Sequence, residues 1–227
     1  MTDFVELQVY TQLARIGKAL ASPVRLRLLD VLEAGESDVE SLSVASGVGL
    51  KNTSAQLQQL RNANLVSTRR QGNHVYYRLS GPEVSACIGA LQHCAETRLA
   101  ELRDAIGDLF GDAEELRPVT VEELRDRLSD PGTIVVDLRS AQEYAQGHVP
   151  GAISLPAADL SEALGRIPRD VEVIAYCQGP YCVLSPHAVR TLRGHGIPAR
   201  PLDGGIARWR RGGGAVETGE EAEPGPA

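Results

Sequence analysis

The stretch Val171 to Pro186, VEVIAYCQGPYCVLSP, holds the residues best suited to covalent chemistry. Cys177 follows an apolar run (Val171, Val173, Ile174, Ala175, Tyr176) that reads as a buried parallel strand, and a Gly-Pro turn then leads to a second thiol, Cys182. A reactive thiolate belongs at such a place. Backbone N–H groups of a tight loop and the positive end of a following helix both favour an anion, so the expectation is a lowered thiol pKa and a hold for an oxyanionic substrate. The competing reading is core packing, because cysteine is among the most buried residue types.

A second group of residues suits a polyanion. Between Glu40 and Glu83 there is no acidic residue, while Lys51, Arg61, Arg69, Arg70 and Arg78 all fall there, in a chain of net charge −7. The segment LKNTSAQLQQLRNANLV divides as a helix would: Thr53, Leu57 and Leu60 face a core, leaving Asn52, Ala55, Gln56 and Gln59 opposite. With Ser54, the amides suit base edges in a major groove. Lys51, Arg61, Arg69, Arg70 and His74 are placed to neutralise phosphates. A solvated helix face is the alternative, and the basic hairpin STRRQGNHVYYRLS beside it weighs against that.

These groups need two scaffolds. At 227 residues the chain exceeds a typical single domain of ~100–150 residues, and its charge splits into +2 over residues 1–80 and −9 over the remainder. The N-terminus has no unbroken apolar region and no run of eighteen apolar residues occurs, so the expectation is a cytoplasmic protein without a membrane partner. Four cysteines (Cys87, Cys94, Cys177, Cys182) do not make a secreted disulfide framework. The Gly/Glu/Pro-rich residues 219–227 are expected to be a disordered tail.

In chain order, Val5, Val9, Leu13, Ile16 and Leu20 predict a first helix, and Ser22-Pro23 caps a second that ends at Gly35. A short helix, Val39 to Ser46, leads through Gly47-Val48-Gly49 to the polar helix, and the hairpin turns at Gln71-Gly72-Asn73. Two helices joined by a glycine turn and followed by a basic hairpin describe a winged helix-turn-helix. Residues ~10–80 resemble the DNA-binding domain of the ArsR family of repressors, carried by ALASPVRLRLLDVL, AQLQQLRNANLV and GNHVYYRL. That resemblance implies a homodimer on a palindromic double-stranded operator, released by an inducer. The family's Cys-x-Cys arsenic motif has no counterpart in SDVESLSVASG.

Residues 82–110 read as one long dimerisation helix through Val84, Ile88, Leu91, Leu99, Leu102 and Ile106, which completes a domain over 1–110. Cys87, His93 and Cys94 on it are metal candidates across a dimer, though an incomplete set per chain, so interface packing is the favoured reading and no metal is expected. Residues 111–118 read as linker.

Beyond it, helices alternate with strands at TIVVDLR, VEVIAY and Ala199-Arg200-Pro201-Leu202, which predicts a parallel sheet with helices on both faces over 119–218. Ligands of such sheets bind at the carboxyl ends of the strands, where Cys177 and the pair Asp137 and Arg139 stand. VVDLRSAQEYAQGHVPGAISLP, VIAYCQGPYC and LDGGIARWRRGG resemble the rhodanese family. The resemblance implies that Cys177 attacks a sulfane sulfur and holds it as a persulfide, with Asp137, Arg139, Glu143 and His148 as scaffold around the active site and no cofactor. Its loop, Cys177, Gln178, Gly179, Pro180, Tyr181 and Cys182, lacks the basic or hydroxyl sixth member that helps bind thiosulfate, and Val183 stands where related phosphatases carry arginine. Cys182 reads either as a resolving or sulfur-sensing thiol or as a small residue at the helix start.

Two function classes follow. The favoured one is a repressor that responds to reactive sulfur, from a donor such as polysulfide or thiosulfate, through the cysteine loop. The other is a rhodanese-type sulfurtransferase in which the winged helix dimerises or targets the enzyme, and metal sensing at Cys87, His93 and Cys94 is a lesser input.

Overall fold

A computed structural model describes residues 6–111 and 116–219. Val5, the middle of the expected linker and the tail after Gly219 lie outside the described residues. The chain forms two compact units, Met1–Ala86 and Cys87–Ala227.

The first unit opens with α1 (Leu7–Leu20) and α2 (Pro23–Leu32). Ser22 caps α2 by accepting from Arg25 N at 3.4 Å, and Pro23 takes the first helical position, where its missing N–H costs nothing. After β1 (Ser37–Asp38), the Asp38 carboxylate caps α3 (Val39–Ser46) by accepting from Ser41 N at 2.8 Å. Gly47, at φ 70°, makes the left-handed turn that aims α4 (Leu50–Asn62) across α3. A hairpin of β2 (Val66–Gln71) and β3 (His74–Leu79) follows, and the sheet order is β1-β3-β2.

Leu28, Leu29, Leu42, Leu57 and Leu60 are fully buried and hold this unit together, each contributing about 1.5–3 kcal/mol. The expected apolar face of α1 behaves differently. Of its residues, Val9 and Leu13 stay 61% and 62% exposed, and Leu7 beside them 55%.

Residues 82–110 are two helices, α5 (Pro82–Arg98) and α6 (Ala100–Phe110), not the single expected one. The break is at Leu99, whose extended backbone (φ −106°, ψ 109°) cannot continue a helix. Val84 and Ile88 are buried as expected, whereas Leu91 and Leu99 are exposed.

The second unit continues with α7 (Val121–Arg127), β4 (Thr133–Asp137), α8 (Ala141–Gln146), β5 (Ile153–Ser154) and α9 (Leu160–Ala163). It ends with β6 (Glu172–Tyr176), α10 (Leu184–Gly194), β7 (Ala199–Pro201) and α11 (Gly205–Arg211). All strand pairs are parallel, in the order β5-β4-β6-β7, with helices packed on both faces. Val173, Ile174 and Ala175 are fully buried, as a central parallel strand covered on both faces must be. In register, Asp137 pairs with Tyr176, so the carboxyl ends of β4 and β6 deliver Leu138 and Cys177 side by side. Helix α10 begins at Leu184, earlier than a start after Pro186; proline fits its first turn because those N–H groups have no helical partner anyway. No helix among the described residues is long and apolar enough to cross a membrane.

Candidate functional site

Cys177 leaves β6 directly into the loop and is 1% exposed. Two amides of α11 fix the chain there: Ile206 N donates to Cys177 O at 3.0 Å and Ala207 N to Gln178 O at 3.1 Å. Gly205 makes this approach achievable. Its φ is +56°, and a Cβ on it would overlap the Cys177 carbonyl oxygen. The Cys177 thiol donates to Cys182 O at 3.8 Å, and neither cysteine is in a disulfide.

The expected lowering of the Cys177 pKa is not what this geometry gives. Burial pushes the thiol well up, the hydrogen bond and charge of Cys182 push the same way, and bonds from the Ser185 hydroxyl and backbone N–H act against them without prevailing. The loop offers little to offset the burial. Pro180 has no N–H to offer, and Cys182 N spends its own on Gly179 O at 3.3 Å, so the anion cradle is two donors poorer than a six-residue loop suggests.

Asp137, Arg139 and Tyr176 form a buried network on the neighbouring strand end. Asp137 is fully buried and takes Arg139 through Nη2 at 2.5 Å and Nε at 3.0 Å, while Tyr176 Oη donates to the same carboxylate at 2.7 Å. Arg139 Nη2 also reaches Gly147 O at 2.7 Å, and Val149 N donates to Tyr176 Oη at 3.1 Å. His148 stacks on Tyr144, with centroids 3.7 Å apart, and its Nδ1 lies 2.9 Å from Tyr144 O. Glu143 completes a capping box with Ser140 at the start of α8. Burial, then the Asp137 charge and hydrogen bond, hold the Tyr176 phenol protonated far above its ordinary value. The Asp137, Arg139 and Tyr176 bonds tie β4, Gly147 and Val149 to the end of β6, one residue before Cys177.

A cavity of about 420 Å³ lies over the loop. Gly179, Pro180, Tyr181 and Cys182 form one side, and Glu96 of α5 with Arg103, Ile106 and Phe110 of α6 form another. Cys177 and Gln178 are not among its lining residues. Tyr181 Oη donates to Glu96 Oε1 at 2.8 Å, tying the loop tip to α5.

On the first unit, α4 turns Thr53, Leu57 and Leu60 inward and leaves Lys51, Asn52, Ser54, Gln59 and Arg61 exposed, with Gln56 half-buried. Gln56 is held on both sides of its amide: Arg25 Nη1 donates to Oε1 at 2.9 Å, and Nε2 donates to Asn52 Oδ1 at 3.0 Å. Arg70 and His74 project from the hairpin. Arg69 is exposed on the same hairpin but has an acidic neighbour. The window without acidic residues is acid-free only along the chain, because Glu36 folds back to form an ion pair with the Arg69 guanidinium, which also lies 5.0 Å over Tyr76. The Arg69 hydrogen bond holds the Glu36 carboxyl below its ordinary value.

Cys87, His93 and Cys94 are exposed on α5, and among the described residues no group of three or more His, Cys, Asp or Glu is placed to hold a metal ion. Sequence reasoning missed Ser185, Gly205, Tyr176 and Arg25. Ser185 left a signal, a hydroxyl within the first turn after the loop, and Gly204-Gly205 left another; Tyr176 and Arg25 were indistinguishable from strand and helix neighbours.

The rhodanese-like domain model matches residues 120–211. An HTH-type transcriptional regulator of Mycobacterium tuberculosis is 40% identical over 208 residues, covering 92% of this chain and 91% of that protein. The biofilm growth-associated repressor of Xylella fastidiosa is 35% identical over 91 residues, or 39% of this chain and 80% of its own length. Among solved structures, the homodimeric winged helix-turn-helix DNA-binding domain of a Mycobacterium bovis protein, a possible ArsR-family transcriptional regulator, is 39% identical. It covers 44% of this chain and 93% of its own, with a TM-score of 0.40. With one relative matched along nearly its whole length and the rhodanese-like match in the second half of the chain, this chain belongs to the HTH-type transcriptional regulators and carries a rhodanese-like domain over residues 120–211.

Proposed function

We propose that the protein is a homodimeric repressor that binds a palindromic operator and is released from it when the cysteine loop takes up reactive sulfur. The observation that carries this reading is the pairing, in one chain, of an exposed amide-rich face on α4 with two cysteines of one short loop at a strand end, neither in a disulfide and the first bonded through its thiol to the carbonyl of the second. Asn52, Ser54 and Gln59 suit base edges, Arg25 presets Gln56, and Lys51, Arg61, Arg70 and His74 suit phosphates. The exposed apolar side chains Leu7, Val9 and Leu13 of α1 supply a face for the second copy. Domain limits at 1–110, 111–118 and 119–218 go with this reading.

Sulfur uptake follows simple exchange chemistry. A loop thiolate attacks a sulfane sulfur of polysulfide, the S–S bond breaks, and the shortened polysulfide leaves with the electron pair. The loop then holds a persulfide on Cys177. Attack of the Cys182 thiolate on Cys177 Sγ expels hydrosulfide and closes a disulfide. Sulfurtransferase turnover is the second reading, favoured by the Ser185 donors aimed at Cys177 and opposed by the depleted cradle, which handles thiosulfate poorly.

Intact mass after polysulfide treatment tests the sulfur half: about +32 Da per added sulfur, or about −2 Da for a bridge, mapped to the peptide carrying Cys177 and Cys182. An unmodified peptide contradicts it. For the DNA half, Gln59→Ala should reduce discrimination at one operator position by about 1–3 kcal/mol, and unchanged discrimination removes Gln59 from the reading face.

A further inference from the structure

The cavity over the loop is built from two sources. Cys182, Ser185 and Pro186 belong to the rhodanese-like residues, whereas Arg103, Ile106 and Phe110 come from α6, ahead of the matched span 120–211. Its volume of about 420 Å³ is that of a site for a small organic molecule and far exceeds what an inorganic sulfur anion fills. The wall is largely carbon, from Ile106, Phe110, Leu116, Pro118, Pro186 and Leu202.

Two guanidinium groups interrupt that wall. Arg103 Nη1 donates to Glu96 O at 2.9 Å and Thr97 O at 3.2 Å, and Arg208 pairs with Asp203. A guanidinium has five N–H donors, so these bonds leave some for a carboxylate. The thiol that meets this space is Cys182, half-buried and in the lining; Cys177 lies 1% exposed beneath, its carbonyl pinned by Ile206.

We infer that the cavity binds the hydropersulfide of a small organic thiol bearing a carboxylate, and that Cys182, not Cys177, is the nucleophile that first takes its outer sulfur. This rests on the sulfur-accepting reading of the loop. The Cys182 thiolate attacks the outer sulfur of R–S–SH, the S–S bond breaks, and the thiolate R–S⁻ departs with the electron pair, leaving Cys182 as a persulfide. The Cys177 thiolate then attacks that same outer sulfur; Cys182 leaves as thiolate and Cys177 carries the persulfide. No external oxidant or reductant is consumed. The transfer needs the two side chains to meet, and the loop keeps them close: the Cys177 thiol donates to the Cys182 carbonyl oxygen at 3.8 Å, and Cys182 packs against the apolar cluster that holds Cys177.

The experiment loads the full chain with glutathione hydropersulfide or with inorganic tetrasulfide and follows sulfur on the loop peptide by mass. With the organic donor, Cys177→Ser should hold sulfur at Cys182, and Cys182→Ser should load Cys177 at least about tenfold more slowly than wild type. Ile106→Trp, which fills the cavity, should lower the ratio of organic to inorganic loading rates by a similar factor. Wild-type loading of Cys177 in Cys182→Ser overturns the inference, as does an unchanged ratio in Ile106→Trp. A wild-type loop that takes sulfur from tetrasulfide but not from the organic donor also overturns it while sparing the reading of the loop. A loop that takes sulfur from neither overturns both.

Discussion

The two candidate sites differ in how they meet solvent. On α4 the functional side chains stand outward and the core residues Thr53, Leu57 and Leu60 stand inward, so the helix presents its chemistry ready-made. At the end of β6 the arrangement is reversed: the chemical group, Cys177, is inside, and what faces the cavity is its loop neighbour Cys182. A macromolecule as large as DNA reads a surface, whereas a thiol that reports on a small molecule gains selectivity from being hard to reach. The contrast extends to charge. On the reading side a guanidinium, Arg69, is partly neutralised by Glu36 in open solvent, and on the loop side the Asp137–Arg139 pair is sealed from water.

That contrast orders the expected mutational effects. Asp137→Asn is the largest, because it leaves the Arg139 charge buried without its counterion and weakens the Tyr176 hydrogen bond. A loss of about 3–5 kcal/mol in urea unfolding of the second unit is expected, and a loss under ~1 kcal/mol would mean that the pair is solvated. Gly205→Ala comes next, at about 1–3 kcal/mol, since it combines a left-handed backbone with overlap on the Cys177 carbonyl. It should also change the alkylation rate of Cys177, and a variant with wild-type stability and rate would remove α11 from the control of the loop.

The thiol itself offers a pH test. A raised pKa keeps Cys177 protonated at neutral pH, and only the thiolate reacts, so its alkylation by iodoacetamide should climb about tenfold per pH unit from pH 7 to 9. Mass mapping separates it from the exposed Cys87 and Cys94. A Cys177 rate that is flat across that range would mean an already ionised thiol, the opposite of the buried geometry. The smallest effects belong to the exposed side. Arg70→Ala should reduce the salt slope of DNA binding by about one, Arg69→Ala by less, and Glu36→Gln should strengthen binding slightly by freeing Arg69. Equal losses for the two arginines would show that Glu36 yields Arg69 to phosphate at no cost.

How much of this was legible in the sequence follows the same division. Periodicity carries burial along one helix or strand, so the inward and outward sides of α4, the hairpin about Gly72-Asn73 and the strand leading to Cys177 were readable. Contacts between distant positions were not. Glu36 is 33 residues from Arg69, and nothing in local composition announces their pairing. The break at Leu99 was hidden because the apolar spacing runs through it and leucine is a good helix former. The thiol pKa was misjudged because a loop sequence counts amides without saying which are spent: Pro180 could have been discounted by eye, but the bond from Cys182 N to Gly179 O needed the folded turn.

The most direct measurement is operator affinity of the full chain, by fluorescence anisotropy, before and after polysulfide, in wild type and in Cys177→Ser. A sulfur-released repressor requires wild-type affinity to fall and the Cys177→Ser affinity to stay where it was; equal responses in the two, or none in wild type, contradict it.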